Sequence, residues 1–192
     1  NVVPTFNPVA AICSGATAPV LPTTSTNGIT GTWSPATVSN TATATYTFTP
    51  TAGQCATTAT LTVTVNPNVV PTFTPVAAIC SGATLTALPT TSTNGITGTW
   101  APALNNTTTT TYTFTPTAGQ CATTTTLTIT VNPNVVPTFN PVAAICSGAT
   151  APVLPGTSTN GITGTWSPAT VSNTATATYT FTPTAGQCAT TT

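Results

Sequence analysis

Residues 44–67 read ATYTFTPTAGQCATTATLTVTVNP, and this stretch decides the fold class. In residues 45–50 an aromatic residue or a proline alternates with threonine, and in residues 60–65 leucine and valine alternate with threonine. Alternation with period two, rich in β-branched and aromatic residues, is typical of a strand with one buried face. Ala52-Gly53 between the two runs indicates the turn of a hairpin. No window has helical periodicity, so the sequence predicts an all-β protein.

The same pattern occurs three times along the chain. The motif NVVPTF begins at Asn1, Asn68 and Asn134, which predicts repeats at 1–67, 68–133 and 134–192. Several short strands in each repeat favour a small β-sandwich, and an Asn-Gly pair in each repeat predicts a tight turn. The third repeat stops before its expected last strand. This indicates either a shortened chain or a strand donated by a following repeat or a neighbouring chain.

Cysteine occurs once early and once late in every repeat. The pairs are Cys13 and Cys55, Cys80 and Cys121, and Cys146 and Cys188. Matching positions predict one disulfide within each repeat, formed in an oxidising compartment, because so small a unit buries little surface and needs a covalent staple. The alternatives are a disulfide ladder between neighbouring repeats or chains, since Cys55 is closer in sequence to Cys80 than to Cys13, and free buried thiols.

One tryptophan lies between the two cysteines of each repeat, on the same side of its strand as a neighbouring isoleucine. A tryptophan packed on a disulfide is an immunoglobulin-like arrangement, and we expect a core position in preference to a sugar-binding surface position. The predicted core aromatic residues are Trp33, Trp100, Trp166, Tyr46, Tyr112 and Tyr179.

Charged side chains are absent, because the 192 residues include no Lys, Arg, Asp, Glu or His. General acid–base catalysis needs a group that exchanges protons near the working pH, and a Ser, Thr or Cys nucleophile needs a base to activate it. Metal sites need carboxylates, histidines or grouped cysteines, and nucleic-acid binding needs cations. The sequence therefore predicts no enzyme, no cofactor, no metal site and no nucleic-acid partner. With no run of 18 apolar residues, it predicts no membrane insertion either.

Three segments carry a resemblance to a known family: CSGAT (13–17), LPTTSTNGITGTWSP (21–35) and residues 44–67. They resemble repeats of very large secreted surface proteins of Bacteroidetes, including flavobacterial gliding adhesins and other substrates of type 9 secretion. The resemblance implies tandem Ig-like domains in a long extracellular or cell-surface array. The late cysteine departs from the immunoglobulin pattern, because Phe48 occupies the position two residues after Tyr46 where an immunoglobulin domain has its cysteine.

Function is expected to be structural. An uncharged surface lacks the repulsion that keeps proteins apart, which favours copies of the chain or neighbouring repeats as partners, and hence a homopolymer. The first candidate is an array that forms a stalk or a self-assembling filament. The second is an adhesin whose repeats bind an external surface or a glycan. The third is an ice-binding protein that uses ranks of threonine, although threonine also simply suits an uncharged strand surface.

Overall fold

The computed structural model describes residues 1–192 and contains strands but no helix, which confirms the all-β prediction. It has no helix of the length and apolarity needed to cross a membrane. The twelve strands are β1 Ile12–Cys13, β2 Gly31–Ser34, β3 Ala44–Pro50, β4 Ala59–Val63, β5 Val65–Asn66, β6 Ile79–Cys80, β7 Gly98–Ala101, β8 Thr110–Pro116, β9 Thr125–Ile129, β10 Val131–Asn132, β11 Gly164–Ser167 and β12 Thr180–Pro183.

The main sheet of the first repeat is antiparallel, in the order β2-β3-β4. Strands β3 and β4 are the two runs of the deciding stretch, and they pair as the predicted hairpin, with Tyr46 opposite Leu61. On β2, Trp33 lies opposite Phe48. Alternation along β3 buries Tyr46 and Phe48 and leaves Thr45 and Thr49 exposed. The period-two pattern therefore sets which face of this sheet is buried.

The last extended segment of the first repeat, residues 59–66, contributes one strand to each of two sheets. Residues 59–63 complete the main sheet as β4, and Val65–Asn66 continue as β5. Strand β5 leaves the main sheet and pairs in parallel with β1, with Ile12 opposite Val65 and Cys13 opposite Asn66. A strand that changes sheets forms the corner of a sandwich, so the arrangement is consistent with a β-sandwich.

The core of the first repeat is an aromatic cluster below the main sheet. Tyr46 is 1% exposed, and Phe48 and Val63 are fully buried. The ring centroid of Phe6 lies 4.7 Å from that of Trp33 and 4.8 Å from that of Phe48. Tilted and edge-on pairs of this kind contribute roughly 0.5–1.5 kcal/mol each beyond their buried area. The phenylalanine of each NVVPTF motif makes the same ring contact, because Phe73 packs on Phe114 and Phe139 packs on Phe181.

Two glycines hold positions that other residues would strain. Gly28 of the Asn-Gly pair has φ of 85°, in the left-handed region, and Ser25 N donates to the Ile29 carbonyl (2.8 Å) across the turn. The tight turn predicted at Asn27-Gly28 is therefore present. Gly31 lies against β3, where an added Cβ would overlap the carbonyl oxygen of Thr49 and come within 2.6 Å of the Phe48 ring.

Packing divides the chain into two compact units. The first combines Asn1–Phe73 with Pro89–Thr99 and Phe114–Thr125, and the second combines Thr74–Leu88 with Trp100–Thr113 and Thr126–Thr192. The second repeat contributes to both. Its own sheet has the order β7-β8-β9, and the core of the second unit includes Leu88, Tyr112 and Ile129. The three-repeat division at 1–67, 68–133 and 134–192 stays a prediction from the sequence.

The third repeat has a smaller sheet, formed by β11 and β12 alone. The backbone of Thr192 exchanges two hydrogen bonds with that of Phe181 (2.8 and 3.2 Å). Phe181 is fully buried, whereas Tyr179 is only partly buried.

Candidate functional site: the disulfide-linked repeat junction

The segment that joins the first two repeats is hydrogen-bonded through its N-terminal part, residues 64–68, to β1 and to Ser14 just after it. Ile12 N donates to the Thr64 carbonyl (3.0 Å), and Ser14 N donates to the Asn66 carbonyl (2.9 Å). The side-chain amide of Asn68 then donates to the Ser14 carbonyl (2.9 Å). Because every bond uses backbone or amide groups, this half of the junction needs no charged residue.

The C-terminal part of the same segment is hydrogen-bonded through Val69 to the turn that follows β8. Val69 N donates to the Cys121 carbonyl (2.8 Å), and Thr123 N donates to the Val69 carbonyl (3.0 Å). Val69 and Ala122 form an isolated parallel bridge. The linker is therefore held at both ends, since Asn66 is paired with the first repeat and Val69 with the second.

A disulfide closes the junction beside the linker. Cys13 is bonded to Cys121 with a Cα–Cα distance of 4.9 Å, and Cys80 is bonded to Cys188 with the same distance and the same sequence separation of 108 residues. The second junction repeats the hydrogen bonds of the first. Its bonds run from Ile79 N to Thr130 O, Ser81 N to Asn132 O, Asn134 Nδ2 to Ser81 O, Val135 N to Cys188 O and Thr190 N to Val135 O.

The prediction of one disulfide within each repeat is wrong, and the alternative of a ladder between neighbouring repeats is the arrangement found. The reason is the position of the two cysteines within a repeat. Cys13 lies beside Asn66, where the chain leaves the repeat, whereas the Cys55 carbonyl accepts a hydrogen bond from Val2, where the chain enters it. An early cysteine therefore meets the late cysteine of the next repeat. Cys55 and Cys146 stay free and exposed.

A glutamine before each late cysteine fixes the turn that carries it. The side chain of Gln120 accepts a hydrogen bond from Thr97 N (2.8 Å) and donates to the Thr97 carbonyl (2.9 Å), as a neighbouring strand would. Gln54 and Gln187 make the same pair of bonds to Thr30 and Thr163. The signal for this role in the sequence is the Gly-Gln-Cys triplet, which occurs in all three repeats.

The aromatic residues predicted for the core are buried to different degrees. Trp33 is buried against Phe6 and Phe48, and its indole nitrogen donates to the Pro22 carbonyl (2.8 Å). Trp100 and Trp166 are partly buried. Tyr46 and Tyr112 are buried, and each of the three tyrosine hydroxyls, including that of Tyr179, accepts a hydrogen bond from a backbone N–H seven residues earlier.

Ion pairs between side chains play no part at the junction, because the chain has no Lys, Arg, Asp, Glu or His. Every buried side-chain nitrogen or oxygen has a hydrogen-bond partner. The junction is therefore stabilised by backbone ladders, amide side chains and a covalent bond, none of which salt screens. The two disulfides indicate an oxidising environment.

Comparison with known proteins places the chain in no family. No protein-family model matches it, and no curated protein is detectably similar in sequence. Function must therefore be inferred from the junctions and surfaces themselves.

Proposed function

We propose that the chain is a structural repeat array of an extracellular surface protein, built of Ig-like domains, which forms a stalk or a self-assembling filament. The single observation that carries the proposal is the junction. Two successive junctions have the same linker hydrogen bonds and the same disulfide spacing. A contact that joins one repeat to the next, and does not close on itself, extends without limit when it is repeated.

The free cysteines occupy the positions of junction cysteines. Cys55 is the equivalent of Cys121, and Cys146 is the equivalent of Cys80, so each can form a disulfide of the same kind with another repeat. Both are exposed. The chain also has no charge with which to repel a neighbouring repeat.

The Ig-like assignment has support of its own. The strand that runs from β4 to β5 changes sheets, and the Tyr46 hydroxyl bonds back to the backbone of Ser39, as the tyrosine corner of immunoglobulin domains does. The departure is the disulfide, which links repeats instead of crossing a core against Trp33. A location outside the cell agrees with the oxidising environment that disulfides need.

Electron microscopy of the oxidised chain tests this function. We expect separate stiff rods or continuous fibres with a regular axial spacing, unchanged by EDTA and weakened by reductant with denaturant. The matched variants are Cys13→Ser/Cys121→Ser, which removes one junction disulfide, and Cys55→Ser/Cys146→Ser, which keeps both junction disulfides and removes the two thiols that a further junction would use. Compact particles of no constant length, or dissolution by the chelator, would refute the proposal.

An adhesin is the second candidate, and one surface favours it. Val20 and Val153 occupy the same loop position in the first and third repeats and are 95% and 94% exposed. In the first repeat this loop borders an open cavity of about 560 Å³ beside Trp33. If the loops bind a surface, Val20→Thr/Val153→Thr should abolish adhesion and leave the rods unchanged. Unchanged adhesion would exclude this role for the loops.

A further inference from the structure

The Asn-Gly turn of each repeat, residues 25–29 in the first, is bonded to the segment that leads into that repeat. The side chain of Asn27 donates from Nδ2 to the Val3 carbonyl (2.8 Å). Its Oδ1 accepts hydrogen bonds from Thr5 N (3.2 Å) and from the Ser25 hydroxyl (2.7 Å). One amide group therefore joins the turn to two residues of the NVVPTF motif.

The same amide contacts occur in the other two repeats. Their distances lie between 2.7 and 3.2 Å. The contacts to the leading segments are those of Asn94 with Val70 and Thr72, and of Asn160 with Val136 and Thr138. Because Val69 is bonded to Cys121 at the first junction, the Asn94 contacts continue the attachment of the linker into the second repeat.

Asparagine followed by glycine is also the pair most prone to deamidation, because glycine has no Cβ to hinder its backbone nitrogen. That nitrogen attacks Cγ of the asparagine side chain and closes a succinimide ring, while the amide nitrogen leaves as ammonia with the proton of the former N–H. Water then adds across either C–N bond of the ring, which gives aspartate or isoaspartate. Water is the only co-reactant, and the product carries a negative charge at neutral pH.

The folded turn engages both groups that would react. The attacking nitrogen, Gly28 N, donates to the Ser25 carbonyl (3.0 Å). The amide that it would attack is held by its three bonds to Val3, Thr5 and Ser25, and Ser25 is buried. The equivalent backbone bonds, also 3.0 Å long, run from Gly95 N to Ser92 O and from Gly161 N to Ser158 O. Ring closure therefore requires the turn to open first.

We propose that Asn27, Asn94 and Asn160 are conditional deamidation sites. Each is protected while its turn is closed and reacts once the turn opens, at a rate set by the fraction of open turn. The product lacks the amide N–H that holds the leading segment, so a modified repeat closes less stably than before. The proposal concerns single repeats and does not rest on the proposed array.

The carboxylate is a poor substitute for the amide. Aspartate at position 27 keeps oxygen acceptors for Thr5 N and the Ser25 hydroxyl, but it puts an oxygen where Nδ2 now lies 2.8 Å from the Val3 carbonyl oxygen. Two oxygens with no hydrogen between them repel, and the carbonyl loses its donor. The chain has no Lys, Arg or His to neutralise the new charge. Isoaspartate also lengthens the backbone by a methylene in a turn where Gly28 has φ of 85°.

Deamidation rates are the first test. The chain is incubated in mildly alkaline buffer, once folded and oxidised and once unfolded in guanidinium chloride with reductant. Because the chain contains no Asp, an Asp-specific protease cuts only where deamidation has produced aspartate, and mass spectrometry assigns the site. We expect each site to react at least ~10-fold more slowly in the folded chain. Equal rates in the two states would overturn the proposal.

The protection by the turn is tested with Ser25→Ala. This change removes the hydroxyl that donates to Asn27 Oδ1 and accepts from Ile29 N (2.9 Å). We expect deamidation at Asn27 to become at least ~3-fold faster in the folded chain, because the turn opens more often. Asn94 and Asn160 are controls within the same molecule and should keep their rates. No change at Asn27, or equal acceleration at all three sites, would contradict local protection.

The consequence of the reaction is tested with Asn27→Asp in urea unfolding. The matched control is Thr58→Asp, which adds the same charge at an exposed residue whose side chain makes no hydrogen bond. We expect the unfolding equilibrium constant of Asn27→Asp to be at least ~3-fold larger than that of the control, because only Asn27→Asp removes the donor to Val3. Equal constants would show that a deamidated repeat closes normally, which would overturn this part of the proposal.

Discussion

Cys55 and Cys121 share a left-handed backbone conformation, with φ of 47° and 45°, although only Cys121 carries a disulfide. The conformation is therefore imposed by the turn and not by the covalent bond. The same contacts surround both residues, because the preceding glutamine holds the loop and a valine N–H donates to the cysteine carbonyl. The late cysteine of a repeat thus has this conformation whether or not it forms a disulfide.

The left-handed conformation at Cys55 predicts that a glycine variant is more stable than an alanine variant at this position. A residue with a Cβ loses roughly 1–2 kcal/mol in the left-handed region, whereas glycine does not. We therefore expect Cys55→Gly to be more stable than Cys55→Ala by about 1 kcal/mol in urea unfolding. The control is Cys146, which is also free but has no positive φ. There the alanine variant should be the more stable, and the same order at both sites would contradict the role of the turn.

The pairing of the cysteines can be read by thiol labelling under native conditions. Iodoacetamide should modify Cys55 and Cys146 and leave the other four protected. Loss of the Cys13–Cys121 bond in the Cys13→Ser/Cys121→Ser variant should lower the free energy of unfolding by up to about 5 kcal/mol, because the closed loop is long. Cys55→Ser/Cys146→Ser should have no effect. A peptide map that links Cys13 to Cys55 would contradict the pairing between repeats and support one disulfide within each repeat.

The overlapping disulfides limit how far the chain can be pulled. Since Cys13 is joined to Cys121 and Cys80 to Cys188, the shortest covalent path from end to end uses only residues 1–13, 80–121 and 188–192. The oxidised chain should therefore extend to roughly 200 Å in a single-molecule pulling experiment, and the reduced chain to roughly 650 Å. An oxidised chain as extensible as the reduced one would show that the repeats are not interlocked.

Gly164 is the equivalent of Gly31, and an added Cβ there would overlap the Thr182 carbonyl oxygen and approach the Phe181 ring within 2.6 Å. We expect Gly164→Ala to destabilise β11 and β12 by about 1–3 kcal/mol, measured by amide hydrogen exchange. The matched control in the same repeat is Gly156→Ala, where the nearest atom is 3.9 Å from the new Cβ. Equal protection in the two variants would mean that the sheet admits the methyl group without loss of stability, which would contradict the prediction.

Stability should hardly depend on pH or salt. Without Asp, Glu, Lys, Arg or His, the folded and unfolded chains bind the same number of protons between about pH 5 and pH 7, so the slope of the unfolding free energy with pH is close to zero. We expect changes below about 0.5 kcal/mol over that range and between 20 and 200 mM NaCl, where ion pairs would be screened. A sloping pH profile measured by urea unfolding would reveal a titrating group that the structure does not contain.

The sequence by itself determined the strands of the main sheet, the hairpin at residues 44–66, the Asn-Gly turns and the absence of charged side chains. These features depend on a period of two, on the left-handed freedom of glycine and on composition, all of which are local. Only the tertiary structure decided which cysteines meet. That outcome depends on β5 pairing with β1 and on Val2 pairing with Ala56, contacts between residues 53 or 54 positions apart. They put the two cysteines of a repeat at opposite junctions, and no spacing along the chain encodes that placement.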